Sequence, residues 1–170
     1  TRPILADAPT RGILLGTLSK TLCPGIRVGW IVAPLELIDP LVRILQASSL
    51  QPGTLSQHLA LGLLERIDWE AHLAGLRRCY QQRAESLYTR CAALELTCEM
   101  PSGGFFLWVE SPGEATALAR AAAAEGVLMV PEAAFRLASH PGPDRHWRLA
   151  FSRYLDRSSD VERLDTVLGL

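Results

Sequence analysis

Two short apolar runs, separated by a loop that contains proline and glycine, constrain the fold of this chain most. They span residues 12–16 and 28–33, and Pro34 ends the second because proline cannot donate to a strand ladder. Short continuous apolar runs are typical of strands that are covered on both faces, as in α/β proteins. We therefore predict an α/β chain in which both strands belong to a larger parallel sheet.

The next stretch of sequence has helical periodicity. Three helices are predicted, the first with a firm start only at Asp39-Pro40, the second capped by Thr54 and the third by Asp68; they cover residues 35–48, 54–66 and 69–94. The third is long for a globular protein. Helices of this length often connect two subdomains, so we place a domain boundary within it and expect domains at residues 1–80 and 81–170.

The last part of the chain alternates strand and helix signals. Strands are predicted at residues 96–99, 104–110, 127–130 and 147–151. Helices are predicted at residues 114–125, ended by Gly126, and at 160–168, capped by Ser159. This pattern favours a small α+β domain with an antiparallel or mixed sheet.

Composition excludes several functional classes. The chain has 170 residues, 48% of them hydrophobic and 21% charged, with a net charge of −1, which is typical of a globular protein. It has no basic block for nucleic acid and no apolar run near the ~20 residues that span a bilayer. The four cysteines lack metal-ligand spacing, so we expect no metal site and free thiols in a reducing cytoplasm rather than disulfides.

Lys20 is the only lysine of the chain, and arginine supplies the remaining basic charge. An amine can lose its proton and attack a carbonyl, whereas a guanidinium cannot. One interpretation is an arginine-biased chain with a leftover surface lysine. The neighbouring Thr17, Ser19 and Arg27 favour a different one, because hydroxyls and a forked cation suit a phosphate. The pattern indicates imine chemistry beside an anion site.

The segment that carries this lysine, Gly-Thr-Leu-Ser-Lys-Thr-Leu-Cys-Pro-Gly-Ile-Arg-Val-Gly-Trp at residues 16–30, resembles a known motif. It is similar to the lysine loop of fold-type I pyridoxal-phosphate enzymes, the class I/II aminotransferases. Within them it most resembles the branch of 2-aminoadipate and kynurenine aminotransferases, which MocR-type regulators share. The resemblance continues through residues 101–108, 126–135 and 148–152, and it covers essentially the whole chain.

The resemblance implies a role for five residues. Lys20 would form an imine with pyridoxal 5′-phosphate and then act as a base that moves a proton. Thr17, Ser19 and Arg27 would bind the cofactor phosphate, and Arg148 would pair with the substrate α-carboxylate. The residues that bind anions also have purely structural alternatives. The hydroxyls could merely close a turn, Arg27 could form a surface ion pair, and Arg148 a structural salt bridge.

Two residues depart from the family pattern. Cys23 stands where alanine or phenylalanine is usual, and Glu132 stands where glycine is usual, near the expected substrate entrance. The aromatic residues Phe105, Phe106 and Trp108 are interpreted as packing residues, and no histidine is assigned a role.

Family members are much longer than this chain, and their first half supplies further cofactor contacts. We therefore expect a C-terminal piece that comprises the last part of the large domain and all of the small domain. On its own this piece should be inactive, and it should either self-associate or be disordered near residues 1–30. Asp7 is not assigned as the partner of the pyridine nitrogen, because it follows no strand-like run. The full-length protein would act on amino acids and 2-oxo acids as a cytoplasmic homodimer.

Three functions remain as hypotheses. The first is an aminotransferase. The second is the effector domain of a regulator of the MocR/GntR type, which would sense a ligand at the same site. The third is an α/β scaffold whose lysine loop is a coincidence, which would require several separate motifs to coincide.

Overall fold

A computed structural model describes residues 4–8, 10–137 and 142–152, together with Arg163 and Thr166. The chain divides into two compact units, Thr1–Ala74 and Gly75–Leu170. The predicted mixture of helices and strands is confirmed, and each unit has its own sheet. Of the helix expected at residues 160–168, only Arg163 and Thr166 are described, and both are helical.

The first unit is built on a hairpin. Strands β1 (Leu14–Thr17) and β2 (Gly29–Val32) pair antiparallel, from Leu14 opposite Val32 to Thr17 opposite Gly29. We expected both strands to belong to a parallel sheet, whereas the structure pairs them with each other in antiparallel orientation. A loop can return the chain beside the strand it has just left, whereas parallel pairing requires a longer crossover connection.

Close packing in the hairpin requires glycine at position 16. Gly16 lies directly opposite Trp30, and a Cβ atom at Gly16 would stand 2.1 Å from Cε2 of the indole ring. Real Cβ atoms do not approach that closely, so any larger residue would displace Trp30.

Helices follow the hairpin. They are α1 (Leu35–Ser49), α2 (Thr54–Leu64) and α3 (Trp69–Ala93), the last of which continues into the second unit. The expected cap is confirmed, since Asp68 Oδ1 accepts a hydrogen bond of 3.0 Å from the Ala71 amide. The start expected at Asp39 is wrong: α1 begins at Leu35, and Pro40 lies inside it, where proline cannot donate to the Glu36 carbonyl one turn earlier.

Apolar side chains of this unit are largely exposed. Leu15 is 73% and Leu35 is 89% exposed, and no residue of α1 is buried. The described residues therefore do not cover both faces of the strands, in contrast to the prediction from the sequence. Among the described residues, the buried core of the unit consists of Leu18 and Ile26 from the loop between the strands, together with Ala60 of α2.

The second unit contains a three-stranded antiparallel sheet. Its strands are β3 (Phe106–Glu110), β4 (Val130–Pro131) and β5 (His146–Ala150), in the order β3-β5-β4, and helix α4 (Ala115–Ala124) lies between β3 and β4 in sequence. The strand expected at residues 96–99 is reduced to a single bridge between Cys98 and Val109. The expected end of α4 is confirmed, with Gly126 at a φ of +81°.

Alternation along the strands separates the two faces of this sheet. Leu107, Val109, Trp147 and Leu149 are buried in a core that α3 and α4 complete. The Trp147 indole donates a hydrogen bond of 3.1 Å to the Ala115 carbonyl, which satisfies its only polar atom inside that core. Phe106, Trp108, His146 and Arg148 alternate with the buried set and therefore occupy the opposite side, which we call the aromatic face.

The cysteines are free thiols, as predicted. Cys23 is exposed, whereas Cys91 is fully buried and its pKa is raised to about 12, mainly because burial disfavours the thiolate. Burial also raises the pKa of the Cys98 thiol.

Asp144 connects three segments of the second unit. One carboxylate oxygen accepts from the backbone amide and hydroxyl of Thr116, at 2.7 and 2.6 Å, and the other accepts from the Ala133 amide at 2.8 Å. These bonds, led by the Thr116 hydroxyl, lower the pKa of Asp144 from 3.8 to about 2. The carboxylate thus joins the first turn of α4 to the 3₁₀ turn Glu132–Phe135.

We predict that Asp144→Asn destabilises the protein by about 2 kcal/mol at pH 7, because an amide cannot accept from all three donors. The lowered pKa means that the carboxylate stabilises the fold above pH 3.8, and that this contribution is lost as the pH falls towards 2. Urea unfolding at several pH values should therefore show the difference between the two proteins narrowing from pH 5 to 2. A difference that does not depend on pH would contradict this assignment.

Candidate functional site

The end of the β1–β2 ladder closes the loop that carries the single lysine. Thr17 pairs with Gly29, and the Leu18 amide donates to the Val28 carbonyl at 3.0 Å. Residues 18–28, which we call the lysine loop, therefore leave and re-enter the hairpin at one point. Thr17 and Ser19 therefore lie near the start of this loop and Arg27 near its end, at the same end of the hairpin.

The two predicted hydroxyls are neighbours in space. Thr17 Oγ1 lies 3.0 Å from Ser19 Oγ, and it also accepts a hydrogen bond of 3.1 Å from the Ser19 amide. The same oxygen lies 3.4 Å from the Val28 carbonyl. These bonds close the turn, and they also bring two hydroxyl groups and an amide together.

Arg27 has a left-handed backbone conformation, with a φ of 53°. Such a conformation is uncommon outside glycine, asparagine and aspartate, and it reorients the side chain where the chain re-enters the strand. The side chain is exposed, and its Nη1 donates to the Pro24 carbonyl at 3.4 Å. A guanidinium has about five N–H donors, so most of them are not used by this bond.

Lys20 is exposed, and it lies in a turn whose first residue, Leu18, is buried. The Leu22 and Cys23 amides both donate to the Leu18 carbonyl, at 2.8 and 3.2 Å, so the backbone curls around Lys20. Leu18 anchors that turn because its side chain is 4% exposed in the core of the first unit.

Arg148 of the second unit contacts two aromatic rings on the aromatic face. Its guanidinium carbon lies 4.1 Å from the centre of the Phe106 ring and 4.8 Å from that of Phe135. Among the described residues no carboxylate pairs with Arg148, and its buried Nε has no hydrogen-bond partner. The structural salt bridge considered for Arg148 is thus absent from this part of the chain, and its positive charge is held by neutral rings.

Glu132 and His146 extend this face. His146 Nδ1 lies 2.9 Å from Glu132 Oε2, and its ring stacks on Trp108 with the ring centres 5.5 Å apart. Glu132 also accepts from the Arg145 amide at 3.0 Å and pairs with Arg136. The pKa of Glu132 is lowered to about 2, with the bond to His146 as the main cause.

The pairing of His146 with Glu132 is not predictable from the sequence, because fourteen positions separate the two and no local pattern joins them. Glu132 stands out in the sequence only as a departure from the family pattern, and the structure shows what its carboxylate does. A cavity of about 630 Å³ opens beside Trp108 and His146, bordered by residues 97–103, and Arg148 lies outside its lining.

A comparison with protein families matches residues 1–152 to the aminotransferase class I and II family. The chain belongs to this family. It is 34% identical over 155 residues to a 2-aminoadipate transaminase from Thermus thermophilus, covering 88% of the chain and 38% of that relative. It is also 34% identical over 154 residues to the HTH-type transcriptional regulator TauR from Rhodobacter capsulatus, covering 86% of the chain and 31% of the regulator.

Solved structures of this family share the fold. The crystal structure of the α-aminoadipate aminotransferase LysN from Thermus thermophilus, complexed with N-(5′-phosphopyridoxyl)-L-leucine, matches with a TM-score of 0.83 and 32% identity. The match covers 97% of this chain and 44% of LysN. The chain therefore spans less than half the length of each of these relatives.

Two further properties hold for the described residues. None of their helices is long and apolar enough to cross a membrane. They contain no group of three or more histidine, cysteine, aspartate or glutamate side chains that could hold a metal ion.

Proposed function

We propose that this chain contributes the lysine loop and the carboxylate-binding arginine of a pyridoxal-phosphate-dependent aminotransferase. The observation that carries the proposal is the closed loop that begins next to Thr17, ends next to Gly29 and contains Ser19, Arg27 and the only lysine. Family membership and the phosphopyridoxyl ligand of the LysN complex support it.

The donor set at this loop fits a phosphorylated aldehyde. A phosphate needs several donors, and two hydroxyls, the Ser19 amide and a guanidinium provide them at one end of the hairpin. The bond between Thr17 and Ser19 would be exchanged for bonds to phosphate oxygens. Lys20 follows Ser19 directly in sequence, so its amine would lie close to the bound phosphate and could condense with the aldehyde carbon, whose oxygen leaves as water.

Pyridoxal phosphate supplies the electron sink of the reaction when it is bound. Lys20 Nζ, in its unprotonated form, would hold the cofactor and would serve as the base for the proton on the substrate Cα. Thr17, Ser19 and Arg27 would bind the phosphate and so orient the aldehyde toward that amine.

Arg148 is proposed to bind the α-carboxylate that amino acids and 2-oxo acids share. A guanidinium accommodates a carboxylate through two parallel hydrogen bonds. The rings of Phe106 and Phe135 hold Arg148 without neutralising it, so an incoming carboxylate meets a positive charge that these rings leave intact.

The proposed role of Lys20 predicts a covalent label at one position. Incubation with pyridoxal phosphate followed by borohydride should add the reduced cofactor to Lys20, and Lys20→Ala should remove the label. A modified lysine resists trypsin, so residues 12–27 should appear as one uncut peptide in mass spectrometry. Cofactor that is still attached to the Lys20→Ala protein, or attached elsewhere in the native chain, would refute the role.

The proposed role of Arg148 predicts a loss of substrate affinity. In the whole enzyme, Arg148→Lys keeps the charge and loses the fork, so KM for the amino acid should rise ~10- to 100-fold, as expected for a charged hydrogen bond. Arg120→Lys, at an exposed position on α4, is the matched control and should leave KM unchanged. An unchanged KM in Arg148→Lys would remove Arg148 from the site.

For the whole protein we propose a cytoplasmic homodimer. Residues 1–80 would be the end of its cofactor-binding large domain, and residues 81–170 its small domain. The chain covers 44% of LysN, so the remaining contacts to a cofactor would come from other parts of such an enzyme.

A second candidate is the effector domain of a transcriptional regulator. It is favoured by the 34% identity to TauR and to two further HTH-type regulators from Bacillus subtilis. This candidate predicts covalent cofactor binding at Lys20 without turnover, together with a DNA-binding segment in the same polypeptide. Transamination by the whole protein with any pair of amino acid and 2-oxo acid would favour the enzyme.

A further inference from the structure

A hydrogen bond connects the lysine loop to the first turn of α3. His72 Nε2 lies 2.7 Å from the carbonyl oxygen of Thr21, the residue after Lys20. The two residues are 51 positions apart in sequence, and both lie in the first unit. A carbonyl can only accept, so Nε2 must carry the proton, and His72 is the donor.

His72 is itself held firmly. Its backbone amide donates to the Asp68 carbonyl at 2.9 Å, and the Asp68 side chain caps the same helical turn. Its ring stacks on Trp69 with the ring centres 5.6 Å apart. Trp69 in turn packs against the core that contains Leu18 and Ile26, the residues that anchor the lysine loop.

We propose that His72 is a positioning residue that fixes the Lys20 turn through its bond to Thr21. The backbone bonds of this turn run to Leu18, which lies before Lys20, whereas His72 holds the residue directly after it. Lys20 is thereby fixed from both sides while its side chain stays exposed. The value of this to the protein rests on the proposed function, in which the amine must meet a bound aldehyde.

The unique lysine provides a direct test. A lysine-specific endoprotease has one site in the whole chain, the bond between Lys20 and Thr21, so its cleavage rate reports the opening of this turn alone. His72→Phe keeps an aromatic ring against Trp69 and removes the donor, whereas His72→Gln keeps a side-chain N–H. Cleavage should be about three- to tenfold faster in His72→Phe, as one lost hydrogen bond implies, and near the native rate in His72→Gln.

The controls separate local opening from general destabilisation. His58→Phe alters an exposed histidine on α2 and should cleave at the native rate. An arginine-specific protease should cut His72→Phe and the native chain at equal rates at the arginines of the second unit, because that unit does not contain the altered bond. Equal lysine cleavage in all variants, or equally fast cleavage in His72→Gln and His72→Phe, would overturn the proposal.

A second measurement needs no variant. The ¹⁵N chemical shifts of the native His72 ring identify which nitrogen is protonated. A neutral ring protonated at Nδ1 alone could not donate to Thr21 and would overturn the proposal, whereas a proton at Nε2 supports it. Both measurements are made without cofactor, so failure of the borohydride label at Lys20 would reject the proposed function and leave this result standing.

Discussion

The closure of the lysine loop by the antiparallel ladder is the constraint on which the candidate site depends. The register from Leu14–Val32 to Thr17–Gly29, continued by the Leu18–Val28 hydrogen bond, fixes where the loop begins and ends. A shift of the register by one residue would turn Thr17 to the opposite face of the hairpin. Backbone pairing thus sets the position of the side-chain donors, and Gly16 permits that pairing by leaving room for Trp30.

In the second unit, the rings of Phe106 and Phe135 cover the Arg148 guanidinium without neutralising its charge. The buried residues of β3 and β5 commit the alternate positions to the aromatic face, so the core also determines where Arg148 lies. Phe135 arrives from the 3₁₀ turn that Asp144 ties to α4. The Asp144 carboxylate therefore links the first turn of α4 to the position of the Phe135 ring next to the Arg148 guanidinium.

Some local features were predictable from the sequence, although the local signal at Asp39 misplaced the start of α1, and long-range features were not predictable. The Asp68 cap and the glycine at the end of α4 were correct because the signals act within a few residues. The strand predicted at residues 96–99 is reduced to one bridge and the one at 127–130 is shifted to Val130–Pro131, since their pairing depends on partners elsewhere in the chain. The bonds of His72 to Thr21 and of His146 to Glu132 join residues far apart in sequence, so the periodicity of the helices and strands does not predict them.

The four thiols differ in a way that matters for handling and for labelling this chain. Cys91 is enclosed and Cys79 and Cys98 are partly covered, whereas Cys23 is exposed at the end of the Lys20 turn, where its amide bonds Leu18. An alkylating dye will therefore react with Cys23 before it reacts with the three covered thiols. The chain carries its own attachment point for a fluorophore, three residues from the amine whose surroundings such a probe would report.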